Sequence, residues 1–99
     1  ARGMGTSVFG PIPADTIFNR NIDGEYDVVL AMYHDQGHIP IKVYDWAHSV
    51  SVNLGLPFVR TSVDHGTAFD IAGKGIADAV SMKEAINVAV SLVSDNKLP

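Results

Sequence analysis

The stretch from Thr61 to Asp78, TSVDHGTAFDIAGKGIAD, gathers an acid, a histidine, a glycine, a second acid and a Gly-Lys-Gly turn in one short segment. A plain connection has little use for so many polar groups, and binding and catalytic residues collect on loops held by a rigid scaffold. His65 lies between Asp64 and Gly66-Thr67, where a glycine lets backbone approach a ligand closely. The start of a following helix favours an anion, and Asp70 can accept hydrogen bonds from ribose hydroxyls, as acids do in dinucleotide sites. The competing reading is a capped turn, with Asp64 and Thr67 as local caps and Gly73 and Gly75 at positive φ. It explains the glycines but leaves His65 and Asp70 without a task. The spacing is not GxGxxG, so the residues by themselves suggest a nucleotide loop without proving one.

Four histidines, at positions 34, 38, 48 and 65, raise the question of a metal. His34 precedes Asp35, and a carboxylate beside an imidazole ligand commonly orients its ring. No HExxH or similar local spacing is present, so further ligands would come from distant residues or a partner chain. A polar loop histidine bonded to backbone fits the spacing slightly better. His38 and His48 have no supporting company and read as surface or loop-packing residues. Lys42 and Arg60 are the cations nearest these loops. Arg60 interrupts the apolar stretch FVRTSV, and a forked guanidinium is a standard clamp for phosphate or carboxylate. Together the two cations lean toward an anionic substrate.

The elements that must position these groups are short. Residues 1–21 read as loop and turn, punctuated by Gly-Pro-Ile-Pro-Ala-Asp. Asp27 to Tyr33, DVVLAMY, is an apolar run suited to a strand buried on both faces of a parallel sheet. It ends in the polar cluster His34-Asp35-Gln36-Gly37. Ile39 to Trp46 predicts a short helix with Pro40 in its first turn. Val50 to Leu54 alternates as a strand, and Phe58 to Val63 resumes as another, forming either a hairpin or a bent strand. Ser81-Met82-Lys83-Glu84 fits a capping box. Met82, Ala85, Ile86, Ala89, Val90 and Val93 then fall on one helical face, with Val88 and Leu92 adding a second stripe.

Composition narrows the class. The chain has 99 residues, 46% of them apolar and 18% charged, which is ordinary for a globular domain. A net charge of −4 with scattered Lys and Arg gives no footprint for nucleic acid. No apolar run is long enough to span a membrane. With no cysteine there is neither a disulfide framework nor a thiolate site. The expected location is cytoplasmic. The chain opens Ala-Arg-Gly in a Gly/Pro-rich loop and shows too few elements to cover a parallel sheet, so it reads as a portion of a larger protein.

AMYHDQGHIPIK (Ala31 to Lys42), VNLGLPFVRTSVDHGTAFDIAGKGIAD (Val52 to Asp78) and GPIPADTIF (Gly10 to Phe18) closely resemble the 4-hydroxythreonine-4-phosphate dehydrogenase family of vitamin B6 biosynthesis. The likeness covers nearly all of the chain and corresponds to the C-terminal third of a family member. Residues 1–99 are therefore expected to be the C-terminal portion of a larger dehydrogenase. The implied fold is α/β, a fragment of the isopropylmalate dehydrogenase-like three-layer α/β/α architecture. The DHGTAFDIAGKGIA portion is also similar to the adenosine-binding loop of isopropylmalate and isocitrate dehydrogenases.

The resemblance implies roles residue by residue. His34 would be one of three histidine ligands of a divalent metal (zinc, magnesium or cobalt), with Asp35 beside it in the catalytic set. Lys42 and Arg60 would bind the phosphorylated substrate. Where the family is expected to carry a substrate-binding asparagine this chain has Ser51, and Asn53 lies on the same strand face. His65, Gly66, Thr67, Ala68, Asp70 and Ile71 would line the adenosine end of the cofactor. Asp70 would repel a 2′-phosphate, which favours NAD over NADP. The implied reaction is hydride transfer from the substrate hydroxyl carbon followed by loss of CO₂, at active sites shared across a homodimer. The Ser51 departure opens an alternative within the class, oxidation of 4-phospho-D-threonate or 4-phospho-D-erythronate in sugar-acid catabolism. A different class of reading takes the isolated chain as an inactive folding or dimerisation module. An isopropylmalate-type enzyme is disfavoured, because HDQGH is not how that branch builds its acidic metal site.

Overall fold

A computed structural model of the chain describes residues 1–95. It divides into two compact units, Ala1–Pro40 and Ile41–Pro99.

The first unit opens with a 3-10 turn at Arg2–Met4 and reaches helix α1, Ala14–Ile22. The sequence reading took this region as loop, because its prolines look like breakers. Here Pro13 is the N-cap, its carbonyl accepting the N–H groups of Thr16 and Ile17, and Asp15 sits in the first turn. An acid there complements the partial positive charge of a helix start. The far end closes through Gly24 at φ +91°. Glu25 N–H reaches the Arg20 carbonyl and Gly24 N–H reaches that of Asn21, the two bonds of a Schellman motif. Side chains reinforce this turn. Arg20 forks onto Glu25 at 2.8 and 3.1 Å and onto the Tyr26 hydroxyl at 2.9 Å. The Tyr26 ring in turn lies 5.9 Å from that of Phe9.

Residues 27–33, expected as a parallel strand, belong to no sheet. Their side chains still alternate. Val28, Leu30 and Met32 are 81%, 84% and 79% exposed, while Val29 and Ala31 are half-buried. The local pattern is that of a strand, but a strand exists only when a neighbour supplies its hydrogen bonds, and none of the described residues does so here.

Helix α2 spans His34–Tyr44. It therefore begins five residues earlier than the Ile39 start expected from sequence, and Pro40 lies beyond its first turn. Pro40 costs the bond its N–H would have made to the Gln36 carbonyl. In the first turn, Gln36 Oε1 accepts the Met32 N–H at 2.7 Å, satisfying a donor just ahead of the helix. Gly37 is buried, and a Cβ there would stand 3.1 Å from the Ala31 methyl, closer than ordinary contact. That close approach explains the glycine of HDQGH.

In the second unit, β1 (Val50–Asn53) and β2 (Arg60–Val63) pair antiparallel, Val50 opposite Val63 and Asn53 opposite Arg60. The hairpin reading is therefore the right one of the two left open, and its loop turns at Gly55 with φ +83°. A 3-10 turn at Phe69–Ile71 precedes helix α3, Val80–Asp95. Helix α3 packs on the hairpin, more closely on β2 than on β1. Two buried-side hydroxyls tether it. Thr61 Oγ1 donates to the Ala85 carbonyl at 2.8 Å, and Ser81 Oγ donates to the Ala47 carbonyl at 2.9 Å.

The helix start differs from the capping box expected. Ser81, only 7% exposed, faces Ala47 rather than its own helix, and Asp78 Oδ1 accepts the Val80 N–H at 2.9 Å instead. The buried stripe also differs. Ala85, 3% exposed, and half-buried Val88, Ala89 and Leu92 meet the hairpin, whereas Met82, Ile86, Val90 and Val93 stand exposed. A two-stranded sheet is narrow. It covers only the stripe centred on the small Ala85, because a small residue lets the helix approach closely.

Candidate functional site

In the first unit, α2 arranges the histidine cluster. His34 Nδ1 lies 2.7 Å from Asp35 Oδ1, and both side chains are exposed. A carboxylate accepts from a ring N–H, so this contact puts a hydrogen on Nδ1, and in the neutral ring the lone pair is then on Nε2. The His38 ring stacks on that of His34, centroids 4.1 Å apart and planes 4° from parallel. Sequence reading gave His38 no company, yet positions four apart share a helix face. The signal was present in HDQGH once that stretch is read as helix rather than loop. Among the described residues no three His, Cys, Asp or Glu side chains converge to hold an ion. His34 is thus fitted to offer one imidazole ligand, oriented by Asp35, and any remaining ligands lie elsewhere.

In the second unit, the segment after β2 forms a concavity of about 390 Å³. Four residues expected at the cofactor, His65, Thr67, Ala68 and Ile71, line it; Gly66 and Asp70 do not. His65 Nδ1 lies 2.8 Å from the Gly66 carbonyl oxygen, which can only accept. The hydrogen is therefore on Nδ1, and Nε2 is left as an acceptor. Ala68 sits at φ +53°, ψ +48°, a left-handed conformation that is costly for a residue with a Cβ. Gly73 and Gly75 have positive φ, as the capped-turn reading expected. The N-cap of the 3-10 turn is Ala68, with no side-chain cap bond, so no polar side chain caps that turn. Trp46, Ala47, Asp78 and Ser81 line the same concavity. Trp46 was missed from sequence because it reaches the loop only through the fold.

The substrate-side residues fall at the hairpin. Arg60 Nη1 donates to Asn53 Oδ1 at 2.6 Å, and both line a second concavity of about 380 Å³ with Leu54, Leu56 and Phe58. Ser51 is half-buried on β1 opposite Ser62. Lys42 lines neither concavity; its Nζ lies 5.5 Å over the Trp46 ring. His48, also read as isolated, bonds Asp45 through both its backbone N–H and its ring, each at 3.0 Å. The Asp45 carboxyl is held below its ordinary range, first by the His48 backbone N–H. The His48 imidazole is raised by its bond to Asp45. Among the described residues no helix is long and apolar enough to cross a membrane.

These features define an α/β fragment with one imidazole–carboxylate pair and one loop-walled concavity. The chain belongs to the pyridoxal phosphate biosynthetic protein PdxA family, whose model matches residues 1–89. A 4-hydroxythreonine-4-phosphate dehydrogenase of Roseobacter denitrificans is 57% identical over 90 residues, covering 91% of this chain and 28% of that protein. A D-threonate 4-phosphate dehydrogenase of Cupriavidus necator is 56% identical over 93 residues, covering 94% of this chain and 28% of that protein. A solved structure from Salmonella typhimurium, described as a candidate 4-hydroxythreonine-4-phosphate dehydrogenase, superposes with a TM-score of 0.74 at 53% identity. It covers 92% of this chain and 28% of its own. The chain thus spans a little over a quarter of the length of the relatives it matches.

Proposed function

We propose that this chain is part of an NAD-dependent, divalent-metal-dependent dehydrogenase that oxidises and decarboxylates 4-phosphooxy-L-threonine in pyridoxal phosphate biosynthesis. The observation that carries the reading is the concavity where His65, Thr67, Ala68 and Ile71 meet, a wall for the adenosine end of the cofactor. In this reading Asp70, adjacent in the chain to Ile71 but not itself lining the concavity, is the acid that repels a 2′-phosphate and so disfavours NADP. Asn53 and Arg60, joined at 2.6 Å, present a guanidinium for the substrate phosphate, with Ser51 and Lys42 as further contacts. His34, backed by Asp35, supplies one ligand of a zinc, magnesium or cobalt ion. When bound, that ion polarises the substrate oxygen.

The chemistry balances simply. A hydride leaves the carbinol carbon for the nicotinamide ring while the hydroxyl gives up its proton. The resulting β-keto acid loses its carboxylate as CO₂, and the carbon left behind takes up a proton. The reading includes a homodimer with shared active sites, the other metal ligands belonging to parts of the protein outside this chain. It also takes the isolated chain to be inactive and the protein to be cytoplasmic.

Ser51, in place of the asparagine expected from the resemblance, favours a second reading in which the substrate is 4-phospho-D-threonate or 4-phospho-D-erythronate. The Cupriavidus relative's name points the same way. These substrates differ from the first at C2, where a hydroxyl replaces an ammonium. Assaying the full-length protein for NAD reduction with the threonine and threonate phosphates side by side, before and after chelation, tests both. Chelator-sensitive turnover of the amino substrate supports the first reading, and preference for the threonate supports the second. Turnover that survives exhaustive chelation would remove the metal from either.

A further inference from the structure

We infer that Trp46 is a stacking residue for the adenine base of the bound nucleotide. The inference rests on the cofactor reading and adds a residue that shares the concavity with its loop. Trp46 lies in the turn after α2, is 62% exposed, and lines the same concavity as His65, Thr67, Ala68 and Ile71. Its indole offers that concavity a broad π face. It is well suited to a flat aromatic guest. The Lys42 ammonium, 5.5 Å over the ring, helps hold the indole in place through a cation–π contact.

A second lining residue, His65, bears on the kind of ring. His65 lines the same concavity, and with its Nδ1 bonded to the Gly66 carbonyl the neutral ring keeps Nε2 as its acceptor. The exocyclic amine of adenine is a donor that such an acceptor can read. Small residues, among them Ala68, Ala72 and Gly73, also line the concavity and leave it open to a guest. A stacking face and an amine acceptor together suit adenine, the end of the cofactor that the proposed reading places at this loop.

Trp46 is the one tryptophan of this chain, so its own emission can report the contact. The test uses the full-length protein and its W46F and W46A variants, with the W46F spectrum subtracted to isolate the Trp46 signal. NAD and AMP should both quench that signal, and nicotinamide mononucleotide should not. Calorimetry should show NAD binding weakened between about fivefold and a hundredfold in W46A, the range one base–aromatic stack contributes. W46F should stay near wild type. NAD binding to the wild type with an unmoved Trp46 signal and unchanged affinity in W46A would overturn the inference while leaving the cofactor reading intact. Failure of the wild type to bind NAD or NADP at all would overturn both. Quenching by nicotinamide mononucleotide as strong as that by AMP would put the wrong end of the cofactor at Trp46 and also overturn it.

Discussion

The histidine cluster of α2 and the concavity behind β2 are built in opposite ways. His34, Asp35 and His38 sit within five consecutive positions of one helix, so a single local conformation sets their contacts at 2.7 and 4.1 Å. The concavity draws residues from 46 to 81, a span that crosses a turn, two strands, a long loop and a helix start. One helix presents its groups to one side and cannot surround an ion, which is why the cluster offers a ligand rather than a site. A wall assembled from several elements can enclose a guest, but it depends on all of them holding their places.

That contrast can be broken experimentally, and the largest effect should come from the local cluster. His34→Ala in the full-length protein should abolish active-site metal, read by metal analysis after dialysis. Asp35→Asn, which keeps the imidazole but removes its orienting carboxylate, should cost about tenfold to a hundredfold in metal affinity. Equal metal content in wild type and His34→Ala would show that the cluster is only a stacked pair on a helix.

The assembled wall should instead respond through stability. Ser81→Ala deletes a donor whose partner, the Ala47 carbonyl, lies on the same wall of the concavity. Thermal unfolding should show a loss of about 1–3 kcal/mol, the cost of leaving a buried acceptor unpaired. Unchanged stability would mean that water replaces the hydroxyl and that the tether does not hold the wall. A smaller effect, of opposite sign, is expected at Ala68. Ala68→Gly relieves a left-handed conformation worth about 1–2 kcal/mol but adds freedom to the unfolded chain, for a net gain under about 1 kcal/mol. A clear destabilisation would show that the Ala68 methyl contributes more by packing than it costs in strain.

The smallest effect belongs to the Asp45–His48 turn, which adjoins Trp46. His48 is raised, so its contribution is fully present below the ordinary imidazole range and fades as pH rises through its raised value. Asp45 is lowered, so its contribution is present above the ordinary carboxylate range and fades as pH falls through its lowered value. The pair therefore holds best in mildly acidic to neutral solution. Following the His48 ring protons by NMR, Asp45→Asn should return the imidazole toward its ordinary titration. A titration identical in both proteins would assign the shift to another charge.

Local features were legible where neighbours in sequence are neighbours in space. The β1 and β2 strands followed from alternation, α3 from helical spacing, and the positive φ at Gly73 and Gly75 from the Gly-Lys-Gly turn. Errors arose where one residue type serves two ends of an element. Pro13 opens α1 instead of breaking it, and Pro40 is carried inside α2 because flanking turns hold the helix across it. Ser81 looked like a cap because its spacing to Glu84 fits one, but a hydroxyl bonds whichever acceptor packing brings to it, and here that is Ala47. The exposed face of α3 was misjudged for a related reason. Apolar periodicity shows which residues share a face, while the width of the partner sheet decides which face is covered.

By itself the sequence determined the family, the amphipathic and alternating patterns, and the chemical types at positions 34, 60 and 65–71, since these depend on covalent identity and on contacts within a turn or two. Only the tertiary structure decided that residues 27–33 lack a ladder partner among the described residues, that Ala85 rather than Ile86 meets the hairpin, and that Trp46 and His65 line one concavity. Those outcomes turn on hydrogen bonds and van der Waals contacts between residues far apart in the chain. No local spacing encodes the distances on which such contacts depend.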